Sequence, residues 1–194
     1  GKEITYENYL DVVYAPNLTL GMAKKTEQGI VATKEINVSA RSMYCDPILA
    51  HKVFDIDGKK VGYFAFSDFD LQSIEDLIDI CKSFKATGVK ELILDMRYNG
   101  GGYVYTEEIL ASMLAPIDMV RNGEVYQTEI WNDKYMAYFK QNKIDRTLYF
   151  KTLHKGILNG KELTYNTAEA NIGLEKIYAL ISSGTASASE GIIV

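Results

Sequence analysis

Two stretches of this chain follow one plan. In "KELILDMRYNGGGYVYTEEILASMLA" an apolar run of strand length meets a glycine turn and then a helix-forming segment. In "EKIYALISSGTASASEGIIV" a second apolar run meets a turn of small hydroxyl residues and then the start of another helix. Short apolar runs without polar alternation suit strands buried on both faces, and strand–turn–helix order is the βα unit of a largely parallel sheet. The chain is therefore expected to be α/β. Its chemistry should sit in the two turns, because such sites gather at the carboxyl ends of strands. The two apolar runs should then be neighbours or near-neighbours in one sheet, aimed the same way.

The rest of the chain organises around these units. "TYENYLDVVY" reads as a short helix capped by Thr5, and "NLTLGMAKK" and "GIVATKEINV" as strands. "HKVFDIDGKKVGYFAFSDF" is a hairpin turning on Asp57-Gly58, a dipeptide suited to positive φ. In "SIEDLIDICKSFKATGV", Ile74, Leu77, Ile78, Cys81 and Phe84 share one helical face, with Ser73 as cap and Gly88 just beyond the end. Residues 117–175 are polar and aromatic with weak periodicity, and read as an excursion from the core holding a hairpin and a short helix.

Composition excludes some functions. A formal net charge of −5 over 194 residues argues against a nucleic-acid or anionic-membrane surface, which needs clustered Lys and Arg. No apolar run has the length of a membrane span. Two cysteines, Cys45 and Cys81, are too few for a disulfide framework, and Cys81 reads as a buried free thiol. The chain opens on Gly1-Lys2-Glu3 without Met and is read as a piece of a longer protein, so the missing leader says nothing about location.

"NGGG", residues 99–102, allows a backbone to approach a ligand and aim N–H groups at an anion. It lacks the spacing of a phosphate loop and suits an oxyanion hole better, though a tight turn that tolerates glycine explains it equally well. In "TASASE", small residues permit a tight bend and present a hydroxyl at a helix N-terminus. Capping accounts for one of Ser183, Thr185, Ser187 and Ser189, but not for four. A serine nucleophile needs a base. His51 and His154 have no acidic pattern beside them and read as structural or surface residues. Lys24, Lys25, Lys59, Lys60, Lys82 and Lys134 lie in polar runs, none of them buried beside a helix N-terminus.

Together, "LILDMRYNGGG" and the later "TASASE" resemble the paired motifs of the S41 serine peptidases, the tail-specific or carboxyl-terminal processing proteases. The resemblance runs from about residue 45 to the chain end. It implies a crotonase-like αβ core and a serine–lysine dyad, with Ser187 as nucleophile. The N–H of Ala188, with that of Gly101 or Gly102, would form the oxyanion hole. Asp95, Arg97 and Asn99 match the motif's polar positions and are expected to brace the loop, and Met96 stands where Leu is commoner. The dyad lysine is expected beyond Val194, so that residues 36–194 are a truncated peptidase core. Residues 1–35 resemble the C-terminal half of a PDZ domain, with a lead-in to the core as the competing reading. The Tyr-rich excursion resembles exported S41 proteins of Bacteroidetes-type bacteria.

The resemblance implies an exported, periplasmic or envelope serine endopeptidase, lipid-anchored in its full form. It would cleave protein or peptide substrates near unstructured C-termini. No metal or cofactor is implied, and homo-oligomerisation is left open. Two other readings stay on the page: a non-catalytic peptide- or lipophile-binding relative, and an acyl-CoA enzyme, for which no basic surface or acidic base is evident.

Overall fold

The computed structural model describes residues 3–158 and 160–193. Gly1 and Lys2, which open the PDZ-like match, and Val194 lie outside the described residues. The chain divides into two compact units, Gly1–Cys45 and Asp46–Val194.

The first unit holds α1 (Tyr9–Val13) and an antiparallel pair, β1 (Asn17–Thr26) with β2 (Gly29–Ser39). The helix starts later than Thr5 suggested. Asn8 precedes it, and the Asn8 carboxamide accepts the Thr5 N–H at 2.9 Å. β2 continues past residue 35 to Ser39, and the unit itself ends at Cys45.

The second unit is built on a four-stranded sheet of order β10-β5-β4-β3, comprising β3 (Ile48–Ile56), β4 (Lys59–Phe66), β5 (Glu91–Asp95) and β10 (Lys176–Leu180). β3 and β4 are the expected hairpin, with Asp57 at φ 53° and Gly58 at φ 81°, as a two-residue turn of the primed type requires. β5 runs parallel to both β4 and β10. The two apolar runs are thus adjacent and parallel.

α2 (Ile74–Ala86) joins β4 to β5, and α3 (Val104–Leu114) is the first helix after β5. The apolar stripe of α2 is buried with Phe64, Phe66, Leu92, Leu94 and Met96 of the sheet and with Ile109, Leu110 and Met113 of α3, in one core. Each such side chain contributes roughly 1.5–3 kcal/mol on burial. Gly88 closes α2 at φ 77°, and the Val89 N–H reaches back to Phe84 O at 3.0 Å. Ser73 does not cap α2 with its hydroxyl; the Asp70 carboxylate instead accepts the Ser73 N–H at 2.9 Å.

Two expectations need correction. β10 is exposed along its length because it lies at the sheet edge, whereas Leu92 and Leu94 of the interior strand β5 are buried. Residues 117–175 also do more than leave the core. They form α4 (Ile117–Asn122), β6 (Val125–Thr128), α5 (Asp133–Gln141), β7 (Thr147–Tyr149), β8 (Leu153–Leu158) and β9 (Lys161–Asn166), with β6 paired to β7 and β8 to β9. Val120, Phe150, Ala170 and Ile172 from this stretch are buried. The last element is α6 (Ala188–Ile193).

Among the described residues no helix is long and apolar enough to cross a membrane. Burial pushes the Cys81 thiol up to about 12, whereas Cys45 is exposed. Because the thiolate is the reactive form, a disulfide reagent at pH 8 should label one thiol per chain quickly. The second should react only on addition of denaturant. Two fast thiols would contradict this packing of α2.

Candidate active site

The parallel pairing sets the site. Leu180 is in register with Asp95, so the chain leaves β5 and β10 at the same end of the sheet. The Met96 N–H extends the ladder to Leu180 O at 2.9 Å. Beyond it the two turns are joined by side chains 85 to 90 residues apart in sequence. The Ser182 hydroxyl donates to Arg97 O, the Thr185 hydroxyl to Met96 O at 2.7 Å, and the Ser189 hydroxyl to Asn99 O at 3.1 Å. The Ala186 N–H also reaches Asn99 O, at 3.3 Å.

The crowding of hydroxyls is thereby explained, with two exceptions, Ser183 and Ser187, both exposed; of the two only Ser187 has a positive φ. Ser187 is exposed, and among the described residues its hydroxyl has no protein partner. Ser187 immediately precedes α6, yet it contributes to capping through its main chain: its N–H donates to the Glu190 carboxylate at 2.8 Å. That is half of a capping box, with the hydroxyl left over. Ser187 also sits at φ 56°, the left-handed region, which costs a non-glycine residue on the order of 1 kcal/mol or more. A strained serine with a spare hydroxyl is the sharpest feature of the site.

Opposite it stands the glycine turn. Gly101 has φ 108°, and a Cβ there would lie 2.6 Å from Ser187 Cβ and 3.1 Å from the Ala188 nitrogen. Gly102 has φ 140°, and a Cβ there would lie 2.5 Å from Phe69 O. The turn is thus held between the Ser187 bend and residue 69, where the Phe69 N–H donates to Gly101 O at 2.8 Å and the Tyr103 N–H to Phe69 O at 2.7 Å. Glycine is demanded at both positions by backbone and by contact. At Gly100 neither demand exists, since nothing lies within 4 Å of an added Cβ. Among the described residues the N–H groups of Ala188 and Gly102 have no acceptor, whereas that of Gly101 donates to Asn99 Oδ1 at 2.9 Å.

The polar residues of the first motif support this turn. Asn99 is buried, and its amide donates to Phe66 O at 3.0 Å while its carbonyl oxygen takes the Gly101 N–H. Asp95 is buried beneath the turn and accepts a fork from Arg97, Nε at 2.9 Å and a terminal nitrogen at 2.7 Å. The Tyr63 hydroxyl adds a third bond at 2.7 Å. The Arg97 bond, above all, holds the Asp95 carboxyl at about 2. The same bond raises Arg97, and the Asp95 bond raises Tyr63.

Neither histidine joins Ser187. His51 is exposed on β3. His154 is fully buried on β8 with both ring nitrogens unpaired, and burial lowers it to about 4, so it is neutral at neutral pH. The lysines in ion pairs are held elsewhere: Lys59 on Glu91, Lys60 on Asp55, Lys82 on Asp79 and Lys151 on Glu108. Among the described residues no cluster of His, Cys, Asp and Glu is placed to hold a metal ion. The clamp by Ser182, Thr185 and Ser189 was not foreseen from sequence, although the density of hydroxyls was its signal. Tyr63 carried no signal of its own.

Two outcomes follow from this geometry. Gly101→Ala and Gly102→Ala should each destabilise the fold by about 2 kcal/mol or more, while Gly100→Ala stays within about 0.5 kcal/mol, as read by chemical denaturation. Equal effects at all three would mean the contacts do not matter. Asp95 has a folded pKa of about 2, below its unfolded value of about 3.9. Its contribution is therefore complete above about pH 5 and is lost as pH falls toward 2. With Arg97 half exposed, that contribution is on the order of 1–2 kcal/mol. The stability gap between wild type and Asp95→Asn should be of that size at pH 7 and shrink in acid; a gap independent of pH would refute the assignment.

The model of peptidase family S41 matches residues 60–194. Among curated proteins none matches. A protein described as an S41 protease from Bacteroides fragilis NCTC 9343 is 25% identical with a TM-score of 0.65, the match covering 100% of this chain and 48% of that one. A photosystem II D1 C-terminal processing protease is 15% identical with a TM-score of 0.46, covering 86% of this chain and 36% of that one. This chain therefore spans about half the length of the B. fragilis protein.

Proposed function

The chain belongs to peptidase family S41, and on that footing we propose that it is the core of an exported serine endopeptidase of the C-terminal processing type. The observation that carries the reading is Ser187: a serine held at φ 56° directly before a helix, its hydroxyl unused, facing a glycine turn that admits no side chain. Strain of this kind persists where the surroundings impose it, and it tends to accompany a reacting group.

In the proposed reaction the Ser187 hydroxyl attacks the carbonyl of a peptide bond near an unstructured C-terminus. The oxygen of that carbonyl becomes an oxyanion, to which the N–H of Ala188 and a glycine N–H donate. Of the two candidate glycines, Gly102 has its N–H free, and Gly101 supplies the close approach. The Ser187 proton passes to a neutral lysine, which returns it to the leaving amine. The reading places that lysine outside these residues, in the part of the family's length that this chain does not span. Water then releases the acyl group by the same route.

The finer architecture belongs to the same proposal. The parallel β4-β5-β10 arrangement supports a crotonase-like core, and the β1–β2 hairpin with α1 supports a PDZ-like segment over residues 1–35. Placement in the periplasm or cell envelope is proposed on the family resemblance.

In the intact protein, Ser187→Ala should abolish cleavage of an unstructured peptide while changing thermal stability by no more than about 0.5 kcal/mol, because the side chain is exposed. Cleavage near the wild-type rate would remove Ser187 from the mechanism.

A further inference from the structure

α6 carries the Ser187 turn at its start and spans six residues, too few to hold its shape unaided. The hydroxyl clamp fixes the approach to it. At its other end lies a second polar contact, made to a pair that the proposed reaction leaves unused. The Tyr126 hydroxyl of β6 stands 2.5 Å from Glu107 Oε1 of α3 and 3.2 Å from Gly191 O of α6. A methyl group on Gly191 would overlap the Glu107 carboxylate, so α6 rests directly on this side chain. Gly191 is tied in turn to the serine: its N–H donates to Ser187 O at 3.2 Å.

Glu107 is buried and, among the described residues, has no cation partner. Glu108 is next to it on α3 and is a like charge, itself paired with Lys151 at 2.5 Å. A buried carboxyl without a cation is costly and would be replaced without loss by an apolar residue unless its position mattered. We infer that Glu107 and Tyr126 are positioning residues for Ser187, pinning the far end of α6 and so fixing where the serine and the Ala188 N–H stand. The inference rests on Ser187 being the nucleophile.

The tyrosine has one proton for two acceptors. With Glu107 ionised, that proton goes to the carboxylate and Gly191 O is left without it. With Glu107 protonated, the acid donates to Tyr126 Oη and the tyrosine donates to Gly191 O, completing the chain onto α6. Burial raises Glu107, which brings the second state within reach. A glutamine at 107 would donate to Tyr126 at every pH and hold the complete chain permanently.

The experiment is steady-state cleavage of an unstructured peptide by the intact protein, from acid to alkaline pH. It compares wild type, Ser187→Ala, Tyr126→Phe and Glu107→Gln. Tyr126→Phe should lower kcat about tenfold with KM little changed, as expected for a misplaced reacting group. The ratio of Glu107→Gln to wild-type kcat should rise about threefold or more as pH climbs through the titration of Glu107, the scale of one hydrogen bond. Wild-type kcat in Tyr126→Phe at every pH would overturn the inference, as would a loss in Glu107→Gln equal to that in Tyr126→Phe. If Tyr126→Phe does not fold, a flat Glu107→Gln ratio alone overturns it. Activity surviving in Ser187→Ala would instead defeat the underlying reading, so the two failures are told apart.

Discussion

The parallel pairing of β5 with β10 is the constraint on which everything else depends. It is a contact between segments far apart in sequence, and it brings both turns to one end of the sheet in fixed register, Leu180 beside Asp95. Without it Gly101 and Ser187 would have no reason to meet. With it, the remaining work is local, and the side chains of the two motifs perform it. Long-range parallel pairing is entropically expensive to nucleate. An apolar core beneath β5, shared with α2 and α3, supplies the compensating burial.

The chemistry of the second motif follows from what the first leaves unsatisfied. Where the chain leaves β5, the carbonyls of Met96, Arg97 and Asn99 turn away from the ladder and need donors. A buried carbonyl left without one costs about 1–3 kcal/mol. Thr185, Ser182 and Ser189 donate to these three in turn, beside the Asn99 N–H on Met96 O and the Ala186 N–H on Asn99 O. Small hydroxyl side chains are suited to this because they reach a neighbouring backbone without holding it apart. Alanine at 186 and 188 then keeps the bend narrow. The side chains of Ser183 and Ser187 are left over by this accounting, and of the two only Ser187 is strained; a strained residue whose side chain has no structural duty invites a chemical one.

Much of this was legible in the sequence, for identifiable reasons. The βα units show as apolar runs ending in turns, the hairpin shows as Asp57-Gly58, and the stripe on α2 shows as a helical period. Each is a local pattern, and each local pattern survived. The readings that failed depended on the tertiary setting. β10 looks buried because its residues are apolar, but burial depends on what lies alongside, and it is an edge strand. Ser73 stands at the cap position, but its hydroxyl turns back to Asp70 O instead of accepting from the first turn of α2. The stretch 117–175 looks detached because short elements of mixed polarity carry weak periodicity. Phe150 and Ile172 nonetheless return to the core from loops, where no period reveals them. Within the site, the two motifs were plain, whereas the hydrogen bonds joining them were not.

The arrangement of charge around the turns bears on how such a site would act. Asp95 lies at the end of β5, four residues before Asn99 opens the glycine turn, and it is buried. An uncompensated carboxylate there would repel an oxyanion forming close by. The Arg97 fork and the Tyr63 hydroxyl neutralise and saturate it, using acceptors that would otherwise compete for the backbone N–H groups of the turn. Asn99 performs the neutral counterpart by holding the Gly101 N–H while leaving that of Gly102 free. The first motif therefore does two things with three side chains. It stiffens a glycine-rich backbone that has little stiffness of its own, and it keeps that backbone's remaining donors for something outside the fold. Preorganised donors are what a transition state carrying an oxyanion requires, since they need not reorient when the charge appears.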